Sequence, residues 1–253
     1  MNIDLSGKTA LVTGASGQLG RVMARALADC GASVCVHYLK NKAMADTLAD
    51  EINAAGRKAK AFQADITRQD SVNRMRDAIN AAFGGVDIVV NNAVIQYTWA
   101  SILEQSIEDF QSQFDSCVMQ SVLTAKAFLP AMLAKGEGRF IGINTECSAL
   151  CSANSGAYAS AKRGMDGLYR VLAKEVGASG VTVNQVAPGW TFSDRERGQN
   201  NEPGYDAAYC EKIPLKRRGT DQEIANVVLF LASRLSSFVT GVCIPVSGGA
   251  VMA

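Results

Sequence analysis

Tyr158 and Lys162 stand four residues apart in Ala157-Tyr158-Ala159-Ser160-Ala161-Lys162. Four residues make about one helical turn, so the phenol and the ammonium would project from one helix face. A cation beside a phenol favours its ionised form and lowers a pKa that starts near ~10, making the hydroxyl an acid or base usable closer to neutral pH. That is the chemistry of carbonyl and alcohol interconversion. A second chemical feature lies near the other end of the chain. Thr13-Gly14-Ala15-Ser16-Gly17-Gln18-Leu19-Gly20 follows the apolar run Lys8-Thr9-Ala10-Leu11-Val12 and leads into a helical pattern from about Gln18 to Asp29. Strand, glycine turn and helix start bring backbone N–H groups and a positive helix end to one point, where a pyrophosphate can sit.

Something must hold these two features together. Short β-branched runs alternate with helical stretches, with strands expected at about 8–13, 33–38, 59–64, 86–91, 138–143, 181–187 and 241–246. The alternation implies repeated βαβ units and a parallel sheet. Right-handed crossovers with the first strand central give a Rossmann-type, doubly wound α/β sheet of seven strands, with its ligand crevice at the strand C-terminal ends. Thr13, Tyr38, Asp65, Asn91, Thr145 and Pro188 all fall near such ends, which places one site. The polar, turn-rich segment 190–215 breaks the rhythm and is expected to be a substrate lid.

Composition narrows the function classes. A chain of 253 residues with 48% hydrophobic content and five prolines suits one domain spanning 1–253. Its 25 basic and 24 acidic residues leave a net charge of +1 with no basic block, so no nucleic acid partner is expected. With no charged leader before a long apolar stretch and no apolar run approaching ~20 residues, no membrane association is expected, and the reading is cytoplasmic. The seven cysteines are scattered without a Cys-x-x-Cys pair and read as free thiols. Cys147 and Cys151 can meet across a turn, but His37 is the only histidine, so no metal is expected.

Taken together, Thr13-Gly14…Gly20, Asp65, Asn91-Asn92-Ala93, Tyr158-x-x-x-Lys162 and Asn184-Gln185-Val186-Ala187-Pro188-Gly189 resemble the short-chain dehydrogenase/reductase family over nearly the whole chain. The resemblance implies a nicotinamide cofactor. Ser16, Gln18 and Leu19 belong to its glycine loop, Asp65 and Ile66 lie at the adenine, and Asn91 and Ala93 close over the adenosine side. Pro188, Gly189 and Thr191 shape the nicotinamide side. Tyr158 would give or take the proton, Lys162 would lower its pKa and hold the nicotinamide ribose, and Thr145 would polarise the substrate oxygen. Where an NAD enzyme carries a ribose-binding acid, the chain has Tyr38, with Lys40 nearby to pair with a 2′-phosphate. NADP(H) is therefore favoured, with NAD(H) the alternative.

Four positions depart from the family pattern. Gln18 takes the place of the middle glycine, with Gly17 one position early; Val94 replaces the glycine of Asn-Asn-Ala-Gly. Thr145 stands for the catalytic serine, with Ser148 a less well-aligned hydroxyl. Cys117 replaces the asparagine that supports a proton-relay water, keeping only its backbone carbonyl. The expected activity is hydride transfer to or from a ketone or secondary alcohol, with a dinucleotide-binding protein of little turnover as the alternative. Gln96, Glu146, Trp190, Asp194 and Arg195 suggest a small polar substrate of sugar or polyol type, against a 3-oxoacyl thioester as rival. The apolar ending Ala250-Val251-Met252-Ala253 and the last strand suggest a homotetramer.

Overall fold

Each apolar run becomes a strand in a computed structural model of the chain, which describes residues 3–192 and 206–252. The strands are β1 (Thr9–Val12), β2 (Ser33–Tyr38), β3 (Ala59–Gln63), β4 (Ile88–Asn91), β5 (Gly138–Ile143), β6 (Val181–Pro188) and β7 (Cys243–Val246). They pair in parallel in the order β3-β2-β1-β4-β5-β6-β7. Between them run α1 (Gln18–Asp29), α2 (Lys42–Ala54), α3 (Gln69–Phe83), α4 (Ile107–Phe114), α5 (Gln120–Lys135), α6 (Cys147–Leu150), α7 (Gly156–Val176), α8 (Ala207–Lys212) and α9 (Asp221–Ala232).

The strands are apolar throughout because both faces of the sheet are covered. Successive side chains alternate between faces. Ala10, Val12, Val34, Val36, Ile88 and Val90 enter one core with Met23 and Leu27 of α1, Leu48 of α2 and Val228 of α9. Leu11, Cys35, Val89 and Phe140 enter the other with Met75 of α3, Phe128 of α5 and Met165 and Tyr169 of α7. Burying one such large side chain contributes roughly 1.5–3 kcal/mol. The stretch Ile107–Lys135 has the length and mean hydropathy (1.4) of a membrane span. Leu123, Phe128 and Met132 explain that composition, since all three are buried in the second core. A π turn at Asp115–Met119 interrupts the stretch between α4 and α5.

Topology fixes where the site lies. From β1 the chain winds outward to β2 and β3 on one side, then returns to β4 on the other. Helices leaving the β1 and β4 ends therefore part, and a crevice opens above them. Of the expected lid, 190–215, the described residues are 190–192 and 206–215, which include α8, and 193–205, with Asp194 and Arg195, lies outside the described residues.

Candidate active site

The floor of the crevice is the turn from β1 into α1. Gly14 takes φ +63°, and a Cβ there would lie 2.9 Å from Ala93 Cα. A Cβ on Gly20 would come within 2.8 Å of Ala15 Cα, whereas one on Gly17 would meet only the Gly14 carbonyl at 3.2 Å. The outer glycines are thus required by close approach, and the middle one far less. Gln18, standing for the missing glycine, opens α1 and donates through Nε2 to the Phe192 carbonyl. The N-terminus of α1 carries no side-chain cap, so its first N–H groups face the crevice as an anion site.

Two polar residues stabilise this turn from below. Thr13 Oγ1 accepts from the N–H groups of Asn92 (2.8 Å) and Ala93 (3.0 Å), tying β1 to β4. His37 Nδ1 accepts from the Gly14 N–H at 2.8 Å, and its Nε2 donates to the Ala64 carbonyl at 3.0 Å. Burial pushes the His37 pKa down to about 4, so the ring is neutral at physiological pH. Sequence reasoning weighed His37 only as a metal ligand. Its signal is a lone polar residue at the end of an apolar strand beside a glycine turn.

At the other end of the crevice, β5 delivers Thr145 and the first turns of α7 deliver Tyr158 and Lys162. Tyr169 anchors α7, its ring 5.4 Å from that of Phe140 in β5. Asn144, 2% exposed, accepts from the Thr145 N–H (2.8 Å) and donates to the Lys162 carbonyl (3.2 Å) and to Gln185 Oε1 (2.7 Å). Its single side chain links the backbones of two of the three catalytic candidates. The Tyr158 N–H donates to Tyr97 Oη at 3.0 Å, and the Trp99 ring lies 5.9 Å from the Tyr158 ring.

Burial raises the Tyr158 pKa well above the ordinary phenol value; the Cys117 and Cys147 thiols push it the same way, and a hydrogen bond with Thr145 pulls it back. Lys162 stands one helical turn further along α7. Its ammonium lies 5.6 Å from the Tyr158 ring centroid and donates to the Ile143 carbonyl at 2.6 Å. Tyr158 therefore carries its proton at neutral pH.

A continuous cleft of about 810 Å³ joins the two ends. It is lined by Gly14, Ser16, Gly17, Gln18, Leu19 and Gly20 at the phosphate end, and by Lys40, Ile66 and Ala93 in the middle. Gln96, Thr145, Tyr158, Lys162, Pro188 and Gly189 line the catalytic end. The volume, the glycine floor and the uncapped helix end fit a dinucleotide. Asn92, Leu39 and Asn41 also line the cleft and were not anticipated as binding residues.

Seven expected site residues, and the less well-aligned hydroxyl of Ser148, are placed elsewhere. Tyr38 is 6% exposed and packs into the first core, because strand alternation turns it inward while Leu39 faces the cleft. Asn91 points into the core, donating to Tyr169 Oη and accepting from Thr124, and its neighbour Asn92 takes the cleft. The Asp65 carboxylate accepts from Thr67 N and Oγ1 in its own turn, leaving Ile66 to reach the cleft. Cys117 is fully buried in the π turn, and its carbonyl accepts from the Ser121 hydroxyl. Glu146 runs behind Gly189, where its carboxylate accepts from Tyr209 Oη at 3.0 and 3.1 Å. The Arg218 guanidinium stacks on Trp190, 4.0 Å from the ring centroid, and donates to the Thr191 carbonyl at 2.6 Å. These two and Glu146 anchor the base of the expected lid. Ser148 donates to the Thr145 carbonyl and offers no second hydroxyl to the cleft. Among the described residues no group of three His, Cys, Asp or Glu side chains can hold a metal.

Known proteins are similar to this chain over nearly its whole length. Residues 14–251 match the family described as enoyl-(acyl carrier protein) reductase. The 3-oxoacyl-[acyl-carrier-protein] reductase FabG of Vibrio cholerae is 36% identical over 251 residues, 99% of this chain and 100% of its own. That of Staphylococcus epidermidis is 35% identical over 97% of this chain and 99% of its own. A crystal structure from Agrobacterium tumefaciens, described as a gluconate dehydrogenase, superposes with a TM-score of 0.93 at 30% identity, covering 100% of both chains. A gluconate 5-dehydrogenase from Burkholderia cenocepacia, in complex with NADP and tartrate, does so with a TM-score of 0.90 at 29% identity, covering 98% of this chain and 96% of its own.

Proposed function

The chain belongs to the short-chain dehydrogenase/reductase family of oxidoreductases acting on CH–OH and C=O groups, and from that premise we propose that it uses NADP(H) on a small, hydroxylated ketone or secondary alcohol. The observation that carries this is the single cleft shared by the glycine turn, Lys40 and the trio Thr145, Tyr158 and Lys162. When bound, the cofactor supplies or accepts hydride. The chain's own residues do the rest. The Thr145 hydroxyl and the Tyr158 phenol line the same end of the cleft, so both can hold one substrate oxygen. In the reductive direction Tyr158, kept protonated by burial, delivers a proton to that oxygen as negative charge develops there. Lys162 is positioned beside it to hold a ribose hydroxyl of the cofactor.

NADP(H) is supported by the absence of an acidic side chain at Leu39, Lys40 and Asn41, which line the cleft after β2, and by the relative crystallised with NADP. The structural relatives favour a sugar-acid substrate. The 3-oxoacyl thioester is the second reading, favoured by the identity to FabG proteins. All seven cysteines are free thiols, which supports a cytoplasmic setting. Assembly as a homotetramer, with β7 and the exposed Met252 against a second copy, and closure of 190–215 over the substrate complete the reading.

NADPH oxidation measured with 5-ketogluconate and with an acetoacetyl thioester tests it. Turnover that Tyr158→Phe abolishes, with NADPH affinity unchanged within a few-fold, is the expected result. Tight NADPH binding without turnover on either ketone would leave a dinucleotide-binding protein instead.

A further inference from the structure

Gln120 opens α5 directly after the π turn and is 1% exposed. Its amide joins three separate elements. Oε1 accepts from Thr13 Oγ1, after β1, at 3.1 Å. Nε2 donates to the Ala93 carbonyl, after β4, at 2.7 Å and to the Ser116 carbonyl in the π turn. The amide has one orientation that satisfies all of them. A threonine hydroxyl has one proton and two lone pairs, and the N–H groups of Asn92 and Ala93 take both lone pairs of Thr13. Its proton therefore goes to Gln120 Oε1, the Val90 carbonyl being farther away at 3.4 Å. A buried network closed in this way holds each member through the others, and removing one leaves polar groups unpaired.

The network ends at the cleft. Ala93 lines it, and packs so closely on Gly14 that a Cβ there would meet Ala93 Cα at 2.9 Å. Where Ala93 sits therefore limits where the glycine turn can sit. Ala93 is held through its N–H by Thr13 and through its carbonyl by Gln120. We propose that Gln120 is a positioning residue for the cofactor, which fixes from below the Gly14–Ala93 floor on which the dinucleotide lies. The inference rests on dinucleotide binding in this cleft and adds a residue outside its lining. Gln120 makes its hydrogen bonds to the floor and the π turn, not to Thr145, Tyr158 or Lys162, so it acts on binding rather than on proton delivery.

Gln120→Met, similar in length but without hydrogen bonds, tests this. Affinities for NADPH and NADH, read by nicotinamide fluorescence, are both expected to weaken about tenfold or more, with the cofactor KM rising in step and kcat at saturating cofactor within about threefold. Ser121→Ala is the control, since Ser121 is the next residue of α5, fully buried, and donates to the Cys117 carbonyl without touching the floor. It is expected to lower the melting temperature and leave both affinities within about twofold of wild type. Unchanged affinities in Gln120→Met, or an equal weakening in Ser121→Ala, overturn the proposal. Amide hydrogen exchange across 88–96, measured without cofactor, reads the floor itself. Faster exchange in Gln120→Met but not in Ser121→Ala supports the proposal, and unchanged exchange overturns it even where cofactor binding itself fails. Should Gln120→Met not fold, Gln120→Glu keeps the shape and loses the amide donor; the same weakening and faster exchange are expected, and wild-type values overturn the proposal.

Discussion

The Gly14 N–H donates to His37 Nδ1 at 2.8 Å, so the turn that forms the cleft floor is tied to an imidazole at the end of β2. Through its other nitrogen the ring reaches the Ala64 carbonyl after β3. One neutral ring thus joins the ends of three strands, and protonation at Nδ1 would set a donor against a donor.

Stability is therefore expected to fall with acidification. The His37 pKa is depressed from 6.5 to about 4 in the folded chain, chiefly by burial. The unfolded state binds the proton first, so the contribution is fully present above pH 6.5 and is lost as pH falls through about 4. The window corresponds to about 3 kcal/mol. Denaturant unfolding at pH 7.5 and 4.5 measures it. His37→Asn, which keeps an acceptor near Nδ1 but does not titrate, is expected to lose less stability across that range; an equal loss would remove His37 as the cause.

Much of this was legible in the chain because the fold is written in alternation and in backbone-dictated motifs. All seven strands lie within about two residues of the apolar runs that suggested them, since both sheet faces demand apolar side chains. The glycine turn and Tyr158–Lys162 were readable for the same reason: local geometry fixes them. Tyr38 and Asn91 were misplaced by a single step of strand alternation, which near a strand end decides between core and cleft. Glu146 and Trp190 were misplaced because their partners, Tyr209 and Arg218, are distant in sequence. No local pattern announces Asn144, whose role comes from what folding packs around it.

Cofactor preference should turn on Leu39. Its side chain is 42% exposed and lines the cleft, whereas Tyr38 is 6% exposed within the core. Leu39→Asp is expected to shift the ratio of NADPH to NADH affinities toward NADH by tenfold or more, about 1.4 kcal/mol. Tyr38→Asp would bury a carboxylate and is expected to destabilise the protein instead. Nicotinamide fluorescence titration reads the first effect and thermal melting the second. Tighter wild-type binding of NADH than NADPH would reverse the cofactor assignment.

Thr145 separates an adapted enzyme from a weakened one. Its hydroxyl accepts from the Cys147 N–H at 3.2 Å and lines the cleft with Tyr158. Thr145→Ala removes that hydroxyl and is expected to lower kcat about 10²–10³-fold. Thr145→Ser keeps the hydroxyl and frees χ1, so kcat within a few-fold of wild type is expected. A large gain in Thr145→Ser would mean that the methyl group obstructs the site.

Asn144 should matter to the rate as well as to the fold. Replacing it with Ala strands the Thr145 N–H and Gln185 Oε1 in a buried environment and removes the bond that the Lys162 carbonyl makes outside its helix, so the melting temperature is expected to fall. Thr145 and Lys162 also lose their common tether. Small displacements of catalytic groups can cost about 10² in rate, so kcat well below the melting temperature is expected to drop tenfold or more, while KM changes little. Gln185→Leu is the control. Gln185 supports Asn144 and donates to Asp166 Oδ1 at 3.0 Å, but it does not bridge the catalytic pair. It is expected to lose stability with a smaller loss of kcat. Equal kcat losses in Asn144→Ala and Gln185→Leu at matched stability would reduce Asn144 to a structural residue.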